Sequence, residues 1–184
     1  MNIKKIFTIL ILSLFGILQV VADERVDQLN KLFNQLKIDN PTLTSEIEQK
    51  IWKIWSTHPK KNNLTLMLSK GSNLVNNDQL IEAVNVFTEV INLDPSWAEA
   101  WNKRATVFYL LGEFEKSQND INKVLELEER HFGALAGQGL VNIKLKNYEK
   151  AILSYEKAQK IYPSMKSPKI MIKEIEKLIK KQSI

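Results

Sequence analysis

Apolar residues recur along this chain in steps of three and four, the period of an α-helix that buries one face. Val26, Leu29, Leu32, Phe33 and Leu36 make a first stripe, with charges and amides on the opposite side. Ile38-Asp39-Asn40-Pro41 breaks it. A second helix is expected from Ser45, where Ser45 and Glu48 match a capping box, and Ile47, Ile51, Ile54 and Trp55 form its stripe. His58-Pro59 ends it, and the linker Lys60-Lys61-Asn62-Asn63 follows.

Beyond the linker the pattern becomes strictly periodic. From Ala98 to Arg130 two short amphipathic helices meet at the turn Leu111-Gly112-Glu113. A shift of 34 residues in either direction superposes this stretch on its neighbours. Trp101 falls on Met67 and Leu135, Ala105 on Gly71 and Gly139, and Phe114 on Leu80 and Tyr148. Ser117 falls on Ala83 and Ala151, Ile121 on Phe87 and Tyr155, and Leu127 on Leu93 and Ile161. Three copies at one period predict a stacked array of helical hairpins. Pro95 and Pro163 stop the second helix of the first and third copies, and Glu129 takes that place in the second. Ser167-Pro168 then starts a closing helix, with Ile172, Ile175, Leu178 and Ile179 on one face and Lys169, Lys173 and Lys177 on another.

The spacing of large and small residues resembles the tetratricopeptide repeat. The large position stands at Met67, Trp101 and Leu135 and the first small one at Gly71, Ala105 and Gly139. The second small position is Ala83, Ser117 and Ala151. Ser117, Glu129 and Asn142 depart from the pattern without threatening the fold. The resemblance implies an all-α, right-handed superhelix (an α-solenoid) of nine helices: a capping hairpin at 23–63, repeats at 64–97, 98–131 and 132–165, and a closing helix at 166–184. The N-terminal hairpin is read as a degenerate terminal unit that caps the stack. The layout is also similar to small exported tetratricopeptide proteins of Gram-negative bacteria.

By the same resemblance, the first helix of each repeat lines a concave groove. The groove residues would be Leu68, Ser72, Val75 and Asn76, then Asn102, Lys103, Thr106 and Tyr109, then Gly133, Ala136, Gly137, Leu140 and Lys144. Gly133 and Gly137 share a helix face and leave room either for a partner's bulky side chain or for a neighbouring helix. The lysine, asparagine and arginine clamp by which some members hold a peptide's C-terminal carboxylate is not expected. Its positions hold Leu68, Ser72, Lys103, Gly133 and Gly137. Trp55 and Trp101 fit core stripes, Trp52 and Trp97 are expected to be partly exposed, and Arg104 to snorkel between helices.

Composition adds an address. Lys4 and Lys5, the apolar run Ile6–Leu18 and Val20-Val21-Ala22 have the layout of a signal peptide cleaved after Ala22, which predicts a periplasmic protein. The alternative is an inner-membrane anchor at residues 6–22, although the run is short for a bilayer span. Cysteine is absent, so packing alone must hold an exported fold. From Ser164 onward six lysines stand against Glu174 and Glu176, so most of the net charge of +5 lies in the tail. A slightly acidic body argues against nucleic acid as partner. A contact of the lysine face with anionic membrane, and self-association through groove or tail, stay open.

Catalysis, cofactors and metals are not expected. The two histidines, His58 and His131, stand at helix ends, where capping of carbonyls is the ordinary role, and have no ligands at metal spacing. A non-catalytic adaptor or scaffold that binds a peptide or protein surface in its groove is the function expected. Apolar contacts would come from Leu68, Val75, Tyr109 and Leu140, and orientation from Asn102 and Lys103.

Overall fold

The computed structural model describes residues 24–38 and 40–182; the signal segment expected at 1–22 lies outside the described residues. Those residues form nine helices and no strand. They are α1 (24–36), α2 (Pro41–Ser56), α3 (Asn62–Asn76), α4 (Leu80–Leu93), α5 (Ala98–Leu110), α6 (Phe114–Leu127), α7 (Phe132–Lys144), α8 (Tyr148–Ile161) and α9 (Lys166–Gln182). Within the repeats α3 packs on α4, α5 on α6 and α7 on α8, while α4, α6 and α8 each pack on the helix that follows. The arrangement is a helical-hairpin solenoid.

Each hairpin closes through one large-to-small contact. A Cβ at Gly71 would overlap the Phe87 ring, and a Cβ at Gly139 would lie 2.5 Å from two atoms of the Tyr155 ring. The middle repeat solves the same position with Ala105 and the slimmer Ile121, both buried. Ring size on the second helix and residue size on the first are therefore matched, repeat by repeat. Ser117, the departure from alanine, donates to the Ala105 carbonyl (2.8 Å) and so enters the core with its hydroxyl paired.

The turns repeat as closely. Asp78 (φ 58°), Gly112 (φ 77°) and Lys146 (φ 59°) are left-handed at equivalent positions. After each, a backbone N–H returns to the helix: Gln79 to Leu74 (2.9 Å), Glu113 to Phe108 (2.8 Å) and Asn147 to Asn142 (2.8 Å). This satisfies carbonyls that a helix end leaves unpaired. Only the middle repeat uses glycine for the strained residue.

Two expected starts move. Asn40, not Ser45, caps α2: its Oδ1 accepts from Leu43 N–H (3.2 Å), with proline in the first turn. Asparagine followed by proline is the stronger start, and Ser45 falls inside the helix. In α9, which begins at Lys166, Ile175 is buried and packs with Met171, Ile172 and Ile179 over Ala151 and Tyr155. Leu178, expected on that face, is exposed.

The larger correction concerns the N-terminal hairpin. It does not extend the stack before α3 but lies across the junctions between repeats. Leu29, Leu32, Phe33, Leu36, Ile47, Ile51 and Trp55 form one core with Phe132 and Tyr162, with Ile161 and Met165 against it. Along α2 the partners run backwards through the chain. The Thr44 hydroxyl meets that of Ser164 (2.9 Å), and Glu48 accepts from the Tyr162 hydroxyl (3.1 Å). The Trp55 carbonyl accepts from Trp97 Nε1 (2.8 Å), and His58 meets Asp94 (2.8 Å). The apolar stripes of α1 and α2 are satisfied on the ends of other repeats, a pairing that internal periodicity cannot specify.

Two outcomes follow from the packing. Gly139→Ala should cost about 2 kcal/mol by overpacking, and adding Tyr155→Ile should recover most of it, as the middle repeat already does; urea unfolding of the two variants measures the coupling. Lys146→Gly should raise stability by about 1 kcal/mol by removing left-handed strain. Thermal melting checks it, and an unchanged melting temperature would contradict the strain.

Candidate partner-binding groove

The groove lies on α5 and α7, and α2 forms one wall of it. Near the helix N-termini this wall closes the surface. Trp52 lies edge-on to the Phe132 ring, 5.5 Å between centroids, and its Cη2 is 2.5 Å from where a Gly133 Cβ would stand. Trp52 thus takes up the space a side chain at Gly133 would need, while the glycine also lines the open cavity between α5 and α7. Trp55 stacks flat on His131, with centroids 4.0 Å apart and planes within 9°. Trp97, expected to be partly exposed, is buried, with its ring edge-on to that of His58.

A buried carboxylate organises the same corner. Glu99, 1% exposed, points Oε2 at His131 Nε2 (3.1 Å) and receives Asn102 Nδ2–H on the same oxygen (3.1 Å). The Lys103 ammonium stands 3.3 Å from Oε1 and 6.0 Å from the Trp52 ring centroid. His131 Nδ1 accepts from the Ala134 amide (3.1 Å), so a neutral ring must carry its proton on Nε2 and donate it to Glu99. His131 thus caps an amide at a helix start, the opposite of the expected carbonyl capping. His58 is held in the same way: Nδ1 accepts from the amides of Lys60 (3.1 Å) and Lys61 (2.9 Å), and Nε2 faces Asp94. Burial alone would raise the Asp94 carboxyl, but hydrogen bonds from Ser96 and His58 outweigh it and hold it below the usual carboxylate range. Burial raises the Tyr162 hydroxyl that donates to Glu48. Both histidines are fixed as structural hydrogen-bonding groups, each with a carboxylate that lies far away in sequence.

Toward the helix C-termini the groove stays open. A cavity of about 80 Å³ lies between α5, α6 and α7, lined by Asn102, Thr106, Tyr109, Ile121, Gly133, Gly137 and Leu140 among others. Six of these seven belong to the expected groove; Ile121, from the α6 helix behind it, does not. A Cβ at Gly137 would meet only Ile121 Cδ1, at 3.7 Å, so this glycine, unlike Gly133, leaves real space.

The remaining expected groove residues divide. Leu68 is buried in the core of the first repeat, with Val75 packed against it, and the Ser72 hydroxyl returns to the Leu68 carbonyl (3.0 Å). Leu68, 2% exposed, is therefore not available to a partner. Ala136 is packed against the core beneath α9, and Lys103 is engaged with Glu99. Asn76 and Lys144 are exposed and lie outside the cavity. Arg104 does more than snorkel: it bridges Asp120 through two 2.8 Å bonds, reaches the Thr88 hydroxyl (3.0 Å) and lies over Trp101.

The tetratricopeptide repeat model matches residues 98–131 and 133–165. A TPR repeat-containing protein of Rhizobium etli is 32% identical over 138 residues, 74% of this chain and 67% of the relative. The chain belongs to the tetratricopeptide repeat family. It is also 30% identical over 95 residues to Hsp70-Hsp90 organizing protein 1 of Glycine max, where the match spans 52% of this chain and 17% of that protein. Among solved structures, the first TPR of Spaghetti (RPAP3) bound to an HSP90 peptide is similar in fold, with a TM-score of 0.62 at 20% identity over 63% of this chain and 92% of that one.

Replacing Glu99 by leucine should strand the His131 and Asn102 donors and cost about 3 kcal/mol. Glu99→Gln, which keeps an acceptor, should cost clearly less. Chemical unfolding followed by tryptophan fluorescence measures both, and equal losses would mean that packing rather than the acceptor matters.

Proposed function

We propose that this chain is a non-catalytic interaction module, a periplasmic adaptor that seats an apolar side chain of a peptide or protein partner in the open half of its groove. The observation that carries the reading is the α5–α7 cavity: apolar at Tyr109, Ile121 and Leu140, polar at Asn102 and Thr106, and about 80 Å³ in volume. That is the scale of one side chain, well below the several hundred Å³ of a small-molecule site. The relative of Glycine max is named for organising Hsp70 and Hsp90, which supports protein capture as the kind of work done. Among the described residues no group of three histidine, aspartate or glutamate side chains is placed to hold a metal, and no helix is long and apolar enough to cross a membrane. The signal-peptide layout of residues 1–22 is what supports an exported address.

A second reading rests on α9. Ile170 (58% exposed) and Leu178 (42%) stand among the exposed Lys169, Lys173 and Lys177, a composition suited to anionic headgroups.

A photo-crosslinker at Thr106, in the chain without residues 1–22, separates the two. In cell-envelope extracts it should label a discrete protein, and Gly137→Ala, which puts a methyl into the cavity and favours α7 by about 1 kcal/mol, should remove the label without loss of fold. Labelling that survives the substitution would refute the groove. Vesicle binding that vanishes on changing Lys169, Lys173 and Lys177 to glutamine would establish the second reading instead.

A further inference from the structure

The second and third repeats meet at a junction built differently from the one before it. Between the first and second repeats Arg104 holds the helices together, through Thr88 on α4 and Asp120 on α6, and covers the Phe108 ring at 5.5 Å. One period later the same three positions are Asn122, Gln138 and Ser154, and the ring has become Asn142. The connectivity survives in neutral form. Gln138 Nε2 donates to Asn122 Oδ1 (3.5 Å), and its Oε1 accepts from the Ser154 hydroxyl (3.0 Å). Gln118 joins the network by donating to Asn122 (2.8 Å) and accepting from Asn142 (3.4 Å).

The exchange of an arginine and a ring for short amides leaves a cleft of about 370 Å³ on the face opposite the groove, between α6 and α8. Its floor consists of these amides, Leu145 and Leu153 supply apolar surface, and Lys150 and Lys157 stand at its side; no carboxylate lines it. Amide side chains present a donor and an acceptor together, which matches peptide groups. No aromatic ring lines the cleft, so it lacks the stacking surface that favours a neutral sugar. Lys150 and Lys157 are seven residues apart on α8, which spaces them by about 10 Å along the axis. In a polyproline II strand the residues on one side recur every third position, about 9 Å apart, and the backbone groups are free of internal hydrogen bonds.

We infer that this cleft is a second binding site, for an acidic peptide segment in polyproline II conformation. Its carboxylates, three residues apart, pair with Lys150 and Lys157, and its peptide groups meet the amides of Gln118, Gln138 and Asn142. The site is independent of the α5–α7 groove and of any partner captured there.

The test uses a fluorescein-labelled nonapeptide of three Glu-Pro-Pro units and its Gln-Pro-Pro counterpart. Anisotropy should show binding of the acidic peptide, weakened by about tenfold in the double variant Lys150→Gln/Lys157→Gln and by salt. The decisive variant is Asn122→Thr/Gln138→Arg/Ser154→Asp with Asn142→Phe, which rebuilds the polar bridge and ring found one period earlier and closes the cleft. Loss of peptide binding with a retained helical spectrum, while Gly137→Ala has no effect, would establish the site. Binding that is unaffected by the rebuilt junction, or equal for the Gln-Pro-Pro peptide, would overturn it. So would binding of oligogalacturonate but not of the acidic peptide, which would make the cleft a carbohydrate site.

Discussion

The fold depends on how closely the two helices of a hairpin approach. A backbone without a side chain at Gly71 and Gly139 admits an aromatic ring from the facing helix, and Ala105 admits only Ile121. Interiors are packed too densely for ring and Cβ to share that space. The approach in turn places the first helices side by side, which is what creates a surface on α5 and α7 at all. Glycine in a helix costs about 1 kcal/mol against alanine, and the buried ring more than offsets it.

Between hairpins the requirement is different, because polar groups at each junction lose water and must find partners. One junction meets it with a charged bridge. Arg104 is held by two bonds to Asp120 and by Trp101 and Phe108, so its charge and its stem are both accommodated. The next meets it with amides alone, which are shorter and leave space. Two chemically distinct junctions in consecutive repeats with the same backbone separate what the fold requires, a bridge from helix to helix, from what it leaves free.

The periodicity made the repeats, their small-to-large positions and the proline stops readable from the residues, because each rests on contacts within one repeat or with the next. The groove was readable only in part. Asn102, Thr106, Tyr109, Gly137 and Leu140 line the cavity as expected, since neighbouring repeats alone place them. Leu68 does not offer itself to a partner, because it is buried in the core of the first repeat, and Gly133 lines the cavity only beside Trp52 of the back-folded α2. Nothing in its own stripe of Ile47, Ile51 and Trp55 says which distant surface it will cover. Its one hint was Trp52, an aromatic residue off the apolar stripe and so in need of a second partner. The two histidines gave no such hint, because each is paired with a carboxylate more than thirty residues away.

That back-folded helix changes the kind of object the array is. A stack of repeats in which each touches only its neighbours opens and closes locally, and its stability is a sum of units and interfaces. Here Thr44 bonds a residue 120 positions away and Glu48 one 114 away, and His58 reaches the first junction from the other end of the same helix. Separation of the last repeat from the middle one would therefore also break contacts of α2, so the junctions are coupled through it. Contacts of such separation raise the contact order above that of an open solenoid, which predicts slower folding. In exchange they hold the relative positions of α5 and α7, and with them the shape of the cavity between these helices, more firmly than nearest-neighbour packing alone would do.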